Sequence, residues 1–165
     1  MATAHLIYGY LGSGKTTFAK KLEHEVAALR FSPDEWMAHL FGTNPPAEHF
    51  SEYYQKIDGL IARYWVDALR LGLDVILDFG FWSRESRDKA RAVIAENGAL
   101  HRLYFLDCPE SLQRERCRMR NHDLQGSLII DDNTFEIFRT RCRALVRGYF
   151  LGNSPNQLPN IVDQK

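Results

Sequence analysis

The chain of 165 residues predicts a single α/β domain of three layers, with a parallel sheet of about five strands, helices on both faces and a helical lid. Three observations carry that prediction. Short apolar runs of strand length alternate with longer helical patterns, which implies right-handed crossovers and a parallel sheet covered on both sides. The run Gly9-Tyr10-Leu11-Gly12-Ser13-Gly14-Lys15-Thr16 fills every fixed position of the phosphate-binding pattern G-x-x-x-x-G-K-[ST], between a strand and a helix. Finally, Asp34 and Asp78 follow the second and third apolar runs, which places them with the glycine loop at the carboxyl edge of the sheet, where ligands of such folds bind.

Leu6-Ile7-Tyr8 supplies the first strand and Thr17 to Glu23 the first helix, with Phe18, Ala19 and Leu22 on one face. Between them, Gly9, Gly12 and Gly14 let the backbone N–H groups around Leu11 and Ser13 curl about phosphate oxygens. Lys15 reaches the outer phosphates, Thr16 offers a hydroxyl to Mg²⁺, and Thr17 continues the helix N-terminus toward the anion. The loop is therefore expected to hold ATP with Mg²⁺ in a P-loop NTPase fold; the bland alternative is a glycine turn without a ligand.

A second strand is expected near Ala27–Phe31, broken by Ser32-Pro33. A short helix follows from Asp34, with Trp36, Met37, Leu40 and Phe41 at helical spacing before the Gly42–Pro46 break. Ala47 to Leu71 reads as a long amphipathic helix whose stripe is Ile57, Leu60, Ile61, Tyr64, Trp65, Ala68 and Leu69, with Gly72 as its stop. Asp74 to Asp78 is a buried-type strand ending on an acid, and Ser83 caps a helix through Asn97. Leu100 to Leu106 is the next strand and Glu110 to Arg120 the next helix. The polar stretch Asp123 to Ser127 belongs to a mobile lid spanning approximately 115–131. Asn133 to Phe150 reads as a last helix burying Phe135, Ile137, Phe138, Cys142, Leu145 and Val146; Asn160-Ile161-Val162 is either a fifth strand or disordered.

Lys plus Arg equals Asp plus Glu at 21 each, which argues against a polyanion-coating or membrane-surface protein. Cys108, Cys117 and Cys142 form no C-x-x-C pair and are expected as free thiols in a reducing cytoplasm. No signal-peptide pattern and no apolar stretch of spanning length is found, and the six histidines make no zinc-ligand spacing.

Phosphoryl transfer requires positioning and charge neutralisation. Asp34 is placed to take a proton from an acceptor hydroxyl or orient it, or else to cap the following helix. Asp78 is placed to support Mg²⁺ with Thr16, or to bond loop amides; no second acid follows it, which fits transfer to an organic acceptor rather than to water. Arg116 and Arg120 share a helix face and match phosphate oxygens, whereas Arg114 and Arg118 are equally read as solvated partners of Glu110 and Glu115. Trp82 and Arg84, just after Asp78, are candidates for substrate stacking and for an acceptor phosphate, with core packing as the alternative for the aromatic.

These residues, with Phe31-Ser32-Pro33-Asp34-Glu35-Trp36-Met37, Val75 to Arg84 and Glu115 to Asn121, resemble the small P-loop kinases related to zeta toxin, chloramphenicol phosphotransferase and the kinase domain of phage polynucleotide kinase. They look like a bacterial branch of AAA-type ATP-binding proteins, and the likeness runs from about Leu6 to Asn121. It implies that Asp34 acts on the acceptor hydroxyl and that Arg116 and Arg120 are lid arginines, with Lys15, Asp34 and Arg120 carrying catalysis. Met37 stands where polynucleotide kinases carry an arginine, and Arg139 to Lys165 lacks the proline-and-glutamate ending of the branch. The expectation is an ATP-dependent kinase acting on a hydroxyl of a small molecule. A nucleotide or polynucleotide 5′-hydroxyl kinase and a nucleotide-dependent switch working through a protein partner remain the alternatives; acceptor, choice of ATP or GTP, and oligomeric state stay open.

Overall fold

The computed structural model describes residues 1–122, 127–140 and 160–163. The expected lid residues Asp123–Gly126, the helix beyond residue 140 with Cys142, Leu145 and Val146, and most of the tail lie outside them. The elements run β1 (Thr3–Gly9), α1 (Lys15–Val26), β2 (Leu29–Phe31), α2 (Pro33–Phe41), α3 (Ala47–Arg70), β3 (Val75–Gly80), α4 (Arg84–Glu96), β4 (Leu100–Asp107), α5 (Glu110–His122), a helical segment over 132–140 (α6), and β5 (Asn160–Asp163).

All pairings are parallel, and the five strands lie in the order β2-β3-β1-β4-β5. The chain leaves the central β1 toward one edge and then returns to fill the other. Its reversal opens a crevice beyond the carboxyl end of β1, where the glycine loop sits. The two faces of β1 are both buried and serve different layers. Ala4, Leu6 and Tyr8 join a core with α3 and α4 through Ile57, Ile61, Trp65 and Ile94. Ile7 packs on the opposite face against Ala19 and Leu22 of α1.

Several boundaries differ from the sequence reading for identifiable reasons. α1 begins at Lys15, directly after Gly14 in the left-handed region (φ 89°), so the lysine is itself the first helical residue. β2 starts only at Leu29. Val26 still belongs to α1, and Ala27 (φ 51°) closes that helix by donating its N–H to the Glu23 carbonyl. On α3 the buried stripe is narrower than expected: Ile57, Ile61, Trp65, Ala68 and Leu69 are covered, while Leu60 and Tyr64, on the flank of that stripe, are 49% and 54% exposed. β3 continues past Asp78 to Gly80, because Gly80 still pairs with Tyr8 after a register irregularity. In α6, Phe135 is buried but Ile137 is exposed.

Candidate nucleotide and acceptor site

The glycine loop is shaped by steric necessity. A Cβ on Gly12 (φ 72°) would lie 2.3 Å from the Gln113 carbonyl oxygen, and one on Gly9 would lie 2.3 Å from the Leu106 carbonyl oxygen. The loop is thus wedged between the end of β4 and the start of α5, where no side chain fits. Gln113 holds that wedge by donating from Nε2 to the Cys108 carbonyl at 2.8 Å. Ser13 is fully buried at the loop's centre, and Lys15 Nζ donates to the Tyr10 carbonyl at 2.8 Å, which keeps its charge over the loop.

Behind the loop stands Asp78, its side chain 3% exposed, with a hydrogen bond from the Thr16 hydroxyl. Burial pushes its carboxyl up to about 6, against the pull of Lys15, the Thr16 hydrogen bond and Arg30, and with a further push from Asp34. Asp78 Oδ2 has no hydrogen-bond partner among the described residues; the nearest cation is Arg30 Nη1 at 3.8 Å. A buried carboxylate oxygen left open beside a threonine hydroxyl fits a Mg²⁺ site that draws its other ligands from phosphates and water. Among the described residues no cluster of histidine, cysteine and acids forms a metal cage on its own.

Asp34 lies inside the first turn of α2. Pro33 occupies the first helical position, so the capping position falls to Ser32 and Asp34 is released from that duty. Its carboxyl is raised by the protein crowded around it, against the pull of Lys15 and Arg120 and with a further push from Glu35. The residue is nevertheless exposed at the molecular surface. Arg120, from the far end of α5, buries Nε and Nη2 with no hydrogen-bond partner among the described residues. Cys117, one turn earlier, feels both Arg120 and Lys15, although burial holds its thiol above the ordinary range. The structure therefore brings Lys15, Thr16, Asp34, Asp78 and Arg120 to one sheet edge.

The other arginines are distributed differently. Arg116 Nη1 sits 3.9 Å from Cys108 Sγ, near the loop. Arg114 pairs with Glu110 at 3.0 Å and with Glu136, and Arg118 pairs with Asp132 at 3.3 Å; with Arg139 on Glu110, these fasten α5 to α6. Trp82 stacks edge-on against Phe138 at 4.3 Å and lines a cavity of about 10 Å³ with Gly9, Tyr10 and Arg87. Arg84 faces outward on α4 and pairs with Asp88 at 3.5 Å, both half exposed.

Three features lay outside the sequence reading. Arg30, at the centre of β2, is held by Glu23 at 3.1 Å and by Glu35 at 2.7 Å while it faces Asp78, which joins the two acid positions through one guanidinium. A cation inside the apolar run Ala28-Leu29-Arg30-Phe31 is the signal that could have revealed it. Tyr54 on α3 lies within electrostatic reach of Asp34. The segment after α5 is tied at two points: the Asn121 amide clasps the Ile130 backbone at 2.6 and 3.0 Å, and Ile129 N–H donates to the Thr43 carbonyl between α2 and α3 at 3.0 Å.

The sequence matches the AAA domain family over residues 5–145. No curated protein matches it. Among solved structures, a candidate kinase from Chloroflexus aurantiacus superposes with a TM-score of 0.73 at 16% identity, covering 98% of this chain and 88% of that one. A gluconokinase from Sinorhizobium meliloti gives 0.57 at 16% identity, covering 98% and 82%. A chain of the Pnkp1/Rnl/Hen1 complex gives 0.61 at 22% identity, covering 70% of this chain and 39% of that chain. At these identities the likeness is one of fold.

Proposed function

This chain belongs to the AAA domain family, and from that premise we propose an ATP-dependent kinase of the small P-loop group that moves the γ-phosphoryl of ATP to a hydroxyl of a small molecule. The observation that carries the reading is the meeting of Asp34 with Lys15 and Arg120: an acid beside the two cations that phosphoryl transfer requires. Lys15 and the loop N–H groups from Gly9 to Thr17 bind the donor phosphates. Thr16, backed by Asp78, would hold Mg²⁺, which supplies charge neutralisation on the phosphates when bound. Asp34 takes the acceptor's proton, Arg120 stabilises charge on the transferred group, and Arg116 supports it from the same lid helix. Of the two substrate-side candidates, Trp82 adjoins the loop, whereas Arg84 would reach an acceptor only by leaving Asp88. A cytoplasmic setting keeps the buried thiols of Cys108 and Cys117 reduced. No helix among the described residues is long and apolar enough to cross a membrane.

Transfer of labelled γ-phosphate to pooled alcohol acceptors tests the reading. Asp34→Asn is expected to lose roughly 10²–10⁴-fold in kcat while the Mg-ATP melting shift is retained. Loss of both together would instead make Asp34 a structural residue.

A further inference from the structure

We infer that Glu23 and Glu35 are positioning residues for the metal site: they tether Arg30 so that its guanidinium faces Asp78 without hydrogen-bonding to it, which leaves the Asp78 oxygen free for Mg²⁺. The inference rests on the reading of Asp78 as the acid that backs the metal, and it gives a task to residues outside the reacting groups.

Arg30 stands at the centre of β2 with its side chain 11% exposed. Nε donates to Glu23 Oε2, in the last turn of α1, at 3.1 Å, and Nη2 donates to Glu35 Oε2, in the first turn of α2, at 2.7 Å. Glu35 is anchored in turn, since Lys20 Nζ lies 3.1 Å from its other oxygen, Oε1. Nε and Nη2 share one edge of the planar group, so once both are held the direction of Nη1 is fixed as well. Nη1 lies 3.8 Å from Asp78 Oδ2. Both atoms are buried, and neither has a hydrogen-bond partner among the described residues.

That separation reconciles two demands that conflict. A carboxylate shut away from water needs a cation close by, and a charge 3.8 Å away still attracts strongly where water is scarce. An acid that serves a metal also needs open lone pairs, whereas an arginine at hydrogen-bonding distance occupies them. Arg30 meets the first demand without violating the second. The glutamates keep it there: closing the gap to about 2.8 Å would draw the guanidinium about 1 Å away from both, beyond hydrogen-bonding range with their carboxylates in place. Stripped of those two charges, Arg30 has Asp78 as its nearest carboxylate among the described residues, and the gap closes.

The test uses the full chain and a non-hydrolysable ATP analogue, titrated calorimetrically in Mg²⁺ and in EDTA. The ratio of the EDTA Kd to the Mg²⁺ Kd measures what the protein gains from the metal. Glu23→Gln with Glu35→Gln, which keeps the side-chain volumes, is expected to lower that ratio roughly tenfold, the effect of one charge-assisted hydrogen bond competing for Asp78. Adding Arg30→Met should restore it to within about threefold of wild type, because no guanidinium remains to occupy the acid. A purely structural role for the glutamates would not be rescued by removing a third charged residue. An unchanged ratio in the double variant, or no recovery in the triple, overturns the inference. If the double variant melts too low to titrate, Glu35→Gln alone removes the closer tether and should lower the ratio roughly threefold; no change there overturns the inference as well. Asp78→Ala checks the metal reading separately: a wild-type ratio in that variant removes Mg²⁺ from Asp78, and this inference with it.

Discussion

The glycine loop and the side proposed for the acceptor are built from different materials. Around the glycine loop the working groups are backbone amides, held in place because Gly9 and Gly12 press against the carbonyls of Leu106 and Gln113 at distances no Cβ tolerates. Beside it, α2 carries Asp34 as a side chain and packs on α3 through the stacked rings of Phe41 and Tyr53, 3.9 Å apart. Backbone amides recognise any phosphate chain of the right shape, so the donor half needs little variation. Side chains can be exchanged without disturbing the sheet, which leaves the proposed acceptor half free to change substrate within one fold.

The largest expected effect tests the donor half. In wild type, Mg-ATP at about a hundred times its Kd contributes about 2.7 kcal/mol, or roughly 5–10 °C in Tm for a chain of this size. Lys15→Ala should abolish that shift, and a shift of wild-type size in the variant would remove the loop from phosphate binding. Next, Gly12→Val should cost about 2–4 kcal/mol in the protein without nucleotide, from positive-φ strain plus overlap with Gln113. A melting temperature within 2 °C of wild type, roughly the effect of half a kcal/mol, would show that the loop yields where the geometry says it is wedged.

Asp78 sharpens the comparison through pH. Its carboxyl stands at about 6 in the folded protein because burial outweighs Lys15, Thr16 and Arg30, and it returns to about 3.9 on unfolding. Between those values the folded protein binds the extra proton. Its contribution is therefore present below about 4 and is lost as pH rises through about 6, amounting to at most about 3 kcal/mol. Asp78→Asn should remove that slope: relative to wild type it gains stability between pH 4.5 and 7 without nucleotide. Parallel melting curves across that range would place the carboxyl at an ordinary value. The smallest effect belongs to Arg84→Ala, expected within about 0.5 kcal/mol of wild type and neutral in transfer, because its partner Asp88 is as exposed as it is. A selective rise in acceptor KM would instead return Arg84 to the substrate.

The same contrast explains what could be read from the sequence. The phosphate loop, the parallel character of the sheet and the positions of Asp34 and Asp78 follow from local rules: spacing of glycines, apolar runs, and acids at strand ends. The role of Arg30 does not, because it depends on β2 lying beside β3 so that residues 48 apart in sequence face each other. Tyr54 was equally silent, since a tyrosine on an amphipathic helix is ordinarily core and only the packing of α3 against α2 brings it within electrostatic reach of Asp34. Leu60 and Tyr64 misled for the converse reason: helical period marks an apolar side without saying how wide the covering surface is.

The clasp on residues 129 and 130 carries a thermodynamic consequence. Asn121 belongs to α5, which carries Arg120, and Thr43 to the loop that leads into α3, and both grip the same short stretch of chain. A ligand that tightens either grip lowers the ordering cost that the other must meet, and such linkage is reciprocal by necessity. ATP and acceptor should therefore bind synergistically, with each lowering the other's Kd by the same factor, and Asn121→Ala should bring that factor toward one. Calorimetric titration of a non-hydrolysable ATP analogue with and without acceptor measures it; equal affinities in the wild type would mean that the two halves of the crevice fill independently.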